Sequence, residues 1–107
     1  MMYYDFKAGD KEYKLRLNTR NIVSLEKTIQ CNPLMIFGAG DTVPTISTMV
    51  AVLHASLQQY HHGITLNDAY DIFDAYLEEN AITDFIPIIL EVYKVSGLFK
   101  EENTEKN

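Results

Sequence analysis

The sequence predicts an α+β fold, in which an N-terminal β-hairpin packs on a bundle of about four α-helices. Apolar and polar residues alternate on both sides of a Gly-Asp turn near the N-terminus, as in a hairpin. Four later segments repeat apolar residues at helical spacing between capping or breaking residues. The 107 residues allow one core. We therefore expect a single domain over residues 1–99 and a disordered acidic tail over residues 100–107.

The hairpin is predicted over about residues 2–8 and 11–18. Its alternating apolar residues are Tyr4, Phe6, Tyr13, Leu15 and Leu17. A two-stranded hairpin is only marginally stable alone in water, so helices must cover one face. The first of these helices begins near Arg20, after a cap at Asn18 or Thr19, and Pro33 ends it. Residues 34–37 are predicted to plug the core, and residues 38–41 to form a loop.

The second and third helices are predicted over residues 45–61 and 66–79. The buried face of the second helix is predicted to contain Ile46, Met49, Val50, Leu53, Leu57 and Tyr60. Thr65 and Asp68 have the spacing of a capping box at the start of the third helix. Its core face is predicted to contain Leu66, Ala69, Tyr70, Phe73 and Leu77, with Tyr76 at the edge.

The last helix, within residues 82–99, is unusually apolar. Thr83 is its expected cap, Pro87 falls in its first turn and Gly97 ends it. Its apolar residues cover roughly 220° of the circumference, whereas a surface helix needs little more than about 100°. The centre of this arc, at Phe85, Ile89 and Val92, is expected to be buried. The margins are expected to bind partners, and the candidate partner-binding residues are Tyr76, Ile86, Ile88, Leu90, Tyr93 and Val95.

The charge distribution constrains the partners. The net charge is −6, with residues 1–30 carrying +2 and residues 31–99 carrying −7. An acidic helical body repels phosphates, so nucleic acid is not an expected partner. No apolar run approaches the roughly 20 residues that span a bilayer, and a membrane is not expected either. The basic end and the acidic body either attract one another between copies, which favours a homo-oligomer, or are simply solvated.

Candidate chemical groups do not assemble into a site. His61 and His62 are adjacent, and therefore point about 100° apart on a helix, unlike a metal-binding i, i+4 pair. Asp68, Asp71 and Asp74, with Glu78, form an acidic ridge that is most simply the solvent-exposed face of the third helix, although a basic partner could face it. Cys31, the single cysteine, has no paired-base signature. We expect no catalytic residue, no cofactor and no metal.

Several stretches of the chain resemble one protein family. They are LRLNTRNIVSLEK at residues 15–27, NPLMIF at 32–37, LHASLQQYHHG at 53–63 and the closing helix at 87–99. Together they resemble the tail assembly chaperones encoded by siphophages and by prophages of Gram-positive bacteria. The resemblance covers roughly residues 3–99 and rests on the order of elements, because the family has no catalytic signature.

The resemblance implies a non-enzymatic assembly factor in the cytoplasm of the bacterial host cell. Such proteins bind the long, hydrophobic tape measure protein, keep it soluble and help the tail tube protein to polymerise around it. In many of these phages a frameshift near the end of the gene yields a longer form, for which residues 100–107 are the natural junction. Two alternatives stay open: a structural accessory or connector protein of the virion tail, and a small protein-binding regulator.

Overall fold

The computed structural model describes residues 2–37 and 43–99. Its antiparallel hairpin is followed by four α-helices, which confirms the predicted fold class. The predicted loop at 38–41 and the predicted tail at 100–107 lie outside the described residues. The elements are β1 (Tyr4–Ala8), β2 (Lys11–Leu15), α1 (Thr19–Ile29), α2 (Ile46–Leu57), α3 (Leu66–Leu77) and α4 (Phe85–Val95), with 3-10 turns at Pro33–Met35 and Ile82–Asp84.

The hairpin is shorter than predicted, and its register is regular. Tyr4 lies opposite Leu15, and Ala8 lies opposite Lys11 across a two-residue turn. Gly9 begins this turn with φ of 65°, a left-handed conformation that glycine adopts without strain. The side chains of Phe6, Ala8 and Leu15 are buried. Because side chains alternate along a strand, this buried set defines one face, which packs on the helices.

Helix α2 is the centre of the core. Eight of its twelve residues are buried, against four of eleven in α4. It contacts β2, α1, α3 and α4, so it is enclosed from several directions. The buried set includes small residues such as Ala51 and Ala55, which lie outside the buried face that the sequence predicted. The helix with the widest buried surface is therefore α2 and not α4, although α4 was predicted to have the widest apolar arc.

The face of α3 is rotated relative to the prediction. Ala69 and Phe73 are buried as expected, but Leu66 and Tyr70 are exposed. Tyr76 is buried instead of lying at an edge. The rotation places Tyr76 in an aromatic cluster, with ring centroids 5.1 Å from Phe6 and 5.8 Å from Phe85. Aromatic pairs at these separations are favourable beyond the area that they bury, which accounts for the preferred face.

Two of the predicted helix boundaries are confirmed by the structure, and two others are wrong. Asn18 caps α1, and Thr65 forms the predicted capping box with Asp68. However, α1 ends at Ile29, before Pro33 is reached, because the next residue turns into the left-handed region and its N–H donates to the carbonyl of Glu26. The predicted cap at Thr83 is also wrong. A 3-10 turn precedes α4, and there the Asp84 carboxylate accepts the N–H of Ala81 at 2.9 Å.

The outer edge of β2, and Arg16 directly after it, form hydrogen bonds to the end of α2 and to the turn that follows it. The Lys14 N–H donates to Nε2 of His61 at 2.9 Å, and the Arg16 N–H donates to the Ser56 carbonyl at 2.9 Å. The Arg16 guanidinium also donates to the Val95 carbonyl at 2.6 Å, near the C-terminus of α4. A cation is favourable there because the last carbonyls of a helix carry partial negative charge. The hairpin is thus joined to both α2 and α4.

His61 should make stability depend on pH. Its Nε2 accepts a hydrogen bond from the Lys14 amide, so that nitrogen must be unprotonated and the imidazole neutral. Burial, and then the Lys14 charge, lower the pKa of His61 in the folded state. Its stabilising contribution is therefore complete above the unfolded pKa of about 6.5 and is lost as the pH falls through the folded pKa.

We expect His61→Gln to remove part of this pH dependence, because the glutamine oxygen accepts a hydrogen bond without titrating. Urea unfolding at pH 7.5 and pH 5.0 measures it. When the pH is lowered from 7.5 to 5.0, the free energy of unfolding of the parent protein should fall by about 1 kcal/mol more than that of the variant. This is the usual net contribution of one hydrogen bond. His62→Gln, at an exposed position, is the control. An equal loss in the parent and in His61→Gln would contradict the assignment.

Candidate partner-binding surfaces

The structure divides the predicted surface of α4 into a buried centre and partly covered margins. Phe85, Ile89 and Val92 are buried, as expected for the centre. Among the six predicted partner-binding residues, four are half-buried and two are fully buried. The half-buried ones are Ile86, Ile88, Leu90 and Val95. A partner at α4 would therefore contact the exposed parts of these four aliphatic side chains, which we call the α4 rim.

Tyr93 is a core residue, which corrects the expectation that it lies at an open margin. Its side chain is only 1% exposed, and its hydroxyl donates to the Pro33 carbonyl at 2.8 Å. The ring also packs edge-on against Phe99. Burial, with a smaller effect of Cys31, raises the pKa of Tyr93 above its ordinary value of 10. Tyr93 therefore ties α4 to the 3-10 turn that follows α1.

Tyr76 is likewise buried, within the aromatic cluster beneath the hairpin. Burial raises its pKa to about 12, with smaller contributions from Asp84 and Tyr4. Its ring is not available as a surface anchor in this conformation. The sequence could not reveal this, because the position is set by the rotation of α3 and not by the spacing of residues.

Apart from Met2, the most exposed apolar side chains in residues 2–37 and 43–99 lie elsewhere, at positions that the sequence had assigned to the core or left unassigned. Leu34 and Met35 are 49% and 64% exposed, although residues 34–37 were predicted to plug the core. Only Ile36 of that run is buried, with Phe37 half-buried. The next described residues repeat the pattern. We call the exposed set the 34–46 apolar residues: Leu34 (49%), Met35 (64%), Val43 (57%) and Ile46 (52%).

A charge pattern in the sequence marks this region. Between Lys27 and Asp68 the only Asp, Glu, Lys or Arg is Asp41. Solvent-exposed segments are usually rich in charge, so an uncharged stretch with exposed aliphatic side chains is typical of an interaction surface. This signal was available in the sequence. It was missed because much of the same stretch forms α2, whose burial explains its low charge equally well.

Charged residues occupy a different part of the surface. Asp71 and Asp74 are exposed on α3, as predicted for its wet face, and Tyr70 is exposed with them. Lys7 and Lys11 are exposed on the hairpin.

In residues 2–37 and 43–99, no three or more His, Cys, Asp or Glu side chains are grouped closely enough to hold a metal ion. No helix in these ranges is sufficiently long and apolar to cross a membrane.

Comparison with known proteins assigns the chain to a family. Residues 4–107 match the model of a family of unknown function, DUF6096. The chain belongs to DUF6096. The match begins at the first residue of β1 and includes all four α-helices. No curated protein and no solved structure matches the chain. Both surfaces of this DUF6096 chain described above, the α4 rim and the 34–46 apolar residues, lie within the family match.

Tyr93→Phe tests the structural role of the buried hydroxyl. The substitution keeps the ring and leaves the Pro33 carbonyl without its donor, so we expect a loss of about 1–3 kcal/mol in the free energy of unfolding. Chemical denaturation measures it. Tyr70→Phe is the matched control, because Tyr70 is exposed, and it should change stability by less than about 0.5 kcal/mol. Equal stability of the parent and Tyr93→Phe would show that the hydroxyl bond does not hold the turn.

Proposed function

We propose that this DUF6096 chain is a non-enzymatic phage or prophage tail assembly chaperone that binds the tape measure protein and assists assembly of the tail tube. The observation that carries the proposal is the exposure of the 34–46 apolar residues in a stretch almost free of charge. The likeness of residues 15–27, 32–37, 53–63 and 87–99 to tail assembly chaperones supplies the identity of the partner.

The proposed client is chemically suited to this surface. An unassembled tape measure protein offers long apolar helices, which need cover until tube subunits surround them. Leu34 and Met35 offer flexible aliphatic side chains, and methionine adapts to irregular apolar partners. Their removal from water on binding is favourable by roughly 25 cal/mol per Å² of apolar area. Because residues 28–67 contain only Asp41 among Asp, Glu, Lys and Arg, this stretch would bring few ionic groups into contact with a bound apolar helix.

The α4 rim is a second candidate contact surface for the client. Ile86 and Leu90 lie one helical turn apart on the same flank, and both are half-buried. A client helix that lies alongside α4 would bury the exposed parts of these side chains. The acidic body argues against nucleic acid as the client. The proposed place of action is the cytoplasm of the bacterial host cell, where the tail tube protein also assembles.

Co-expression with the tape measure protein of the same phage or prophage tests the proposal. The parent chain should raise the soluble fraction of that protein and co-purify with it. The double variant Leu34→Ser, Met35→Ser should reduce the recovered complex at least tenfold, because both exposed aliphatic anchors are lost. Both sites are exposed, so the fold should persist, which circular dichroism checks.

The matched control is Val23→Ser, an exposed aliphatic residue on α1 outside the proposed surface, which should leave the complex intact. Absence of co-purification with the parent chain would contradict the proposal. Mass spectrometry of purified particles supplies a second check. A chaperone should be absent from finished tails, and its presence at a stoichiometric level would favour a structural virion protein instead.

A further inference from the structure

The outer edge of β1 differs from that of β2 in its hydrogen bonding. In an antiparallel pair, opposed residues alternate between those that exchange two backbone bonds and those that exchange none. The Lys14 N–H donates to His61, away from the hairpin, so the pair Asp5–Lys14 is of the second kind. The pair Lys7–Glu12, two residues further along the strands, also exchanges no backbone hydrogen bonds. The backbone N–H and C=O groups of Asp5 and Lys7 therefore point away from β2.

These outward groups lack partners in the described part of the chain. In residues 2–37 and 43–99 no hydrogen bond is formed by the amides of Asp5 or Lys7. A cleft of about 330 Å³ runs beside this edge, between β1 and side chains that include Tyr76, Asn80 and Ile88. The edge is therefore reachable, and Ile88, one of the α4 rim residues, lies next to it.

Among the residues that the structure describes, the side chains of Asp5 and Lys7 also have no ionic partner. Asp5 and Lys7 are exposed on the face of the hairpin that is turned away from the helices. In the described ranges the one ion pair joins Lys94 to Glu91. Lys14 lies opposite Asp5, but its ammonium group sits over the rings of Tyr3 and Tyr60, at 5.1 and 5.9 Å from their centroids. The carboxylate of Asp5 therefore has no cation bound to it.

We propose that β1 pairs with β1 of a second copy of this chain, forming a continuous four-stranded antiparallel sheet across a two-fold axis. Asp5 would lie opposite the partner's Lys7, and Lys7 opposite the partner's Asp5. Each of these two pairs exchanges two backbone hydrogen bonds, so the outward amides on both chains are satisfied. Each also brings a carboxylate and an ammonium group together on the exposed face.

Side-chain charge favours this register over the two registers that are shifted by two residues. A shift by two residues in one direction places Asp5 opposite the partner's Asp5, and a shift in the other direction opposes the two Lys7 side chains. Like charges directly opposed in a sheet are destabilising. Because the favoured arrangement is reciprocal, the same five-residue strand serves both copies, as a two-fold interface requires. Open strand edges are known sites for such strand addition.

This pairing would provide the interface of the homo-oligomer that the charge distribution of the sequence favours. It does not depend on binding of the tape measure protein and is tested without that protein. Sedimentation velocity over a concentration series measures the dissociation constant of the full chain at low salt. The parent should form dimers. Asp5→Lys and Lys7→Asp should each weaken dimerisation about tenfold or more, since each replaces two attractive pairs by two repulsive ones.

The double variant Asp5→Lys, Lys7→Asp restores opposite charges in both pairs and should recover the parent dimer. Asp74→Lys, which changes charge by the same amount on the exposed face of α3, is the control and should dimerise like the parent. A monomeric parent chain, or a double variant as weak as the single ones, would overturn the proposal. All three positions are exposed, so circular dichroism should show parent-like folding of the four variants.

Hydrogen exchange locates the contact on the backbone. The amides of Asp5 and Lys7 should exchange fast at low protein concentration and become protected as the dimer forms. The Glu12 amide, which points away from β1, should not change with concentration. Concentration-dependent protection elsewhere, without protection at Asp5 and Lys7, would mean that the copies associate through another surface, such as the 34–46 apolar residues or the opposed charges of hairpin and α3.

Discussion

The burial of α2 on nearly all sides is the constraint on which the rest of the structure depends. A helix of twelve residues with eight buried cannot lie at the surface, so other elements must enclose it. The hairpin covers it through β2, while α1, α3 and α4 pack around it. Its one buried polar side chain, Ser56, is satisfied because the hydroxyl donates to the Val52 carbonyl at 2.6 Å. The enclosure therefore leaves no unpaired hydroxyl within it.

The surfaces open to partners follow from this enclosure. α4 must face α2, and bonds from Arg16 and Tyr93 hold it there, so most of its apolar arc is used within the chain. The Tyr93 hydroxyl fixes the 3-10 turn at its first residue, Pro33. The next two residues, Leu34 and Met35, then project into solvent instead of entering the core. The same packing that removes Tyr93 from the surface thus presents a different apolar site.

The sequence predicted the order and type of the elements, because strand and helix periodicities and the caps at Asn18 and Thr65 are local signals. It did not predict which helix is central. α2 and α4 are both strongly apolar, and only the packing of all elements shows that small residues such as Ala55 are buried on the second side of α2. The rotation of α3 was unpredictable for the same reason. The open edge of β1 could be seen only once the bond from Lys14 to His61 had fixed the pairing pattern.

Native-state hydrogen exchange across the whole chain tests most directly whether α2 is the centre of the fold. Amides in the middle of α2, around Leu53, should exchange last, with an opening free energy equal to that of global unfolding measured by denaturant. Those of α4 should open at lower free energy, because only four of its eleven residues are buried. Slower exchange in α4 than in α2 would contradict the account, since the last helix would then be the one that the other elements enclose.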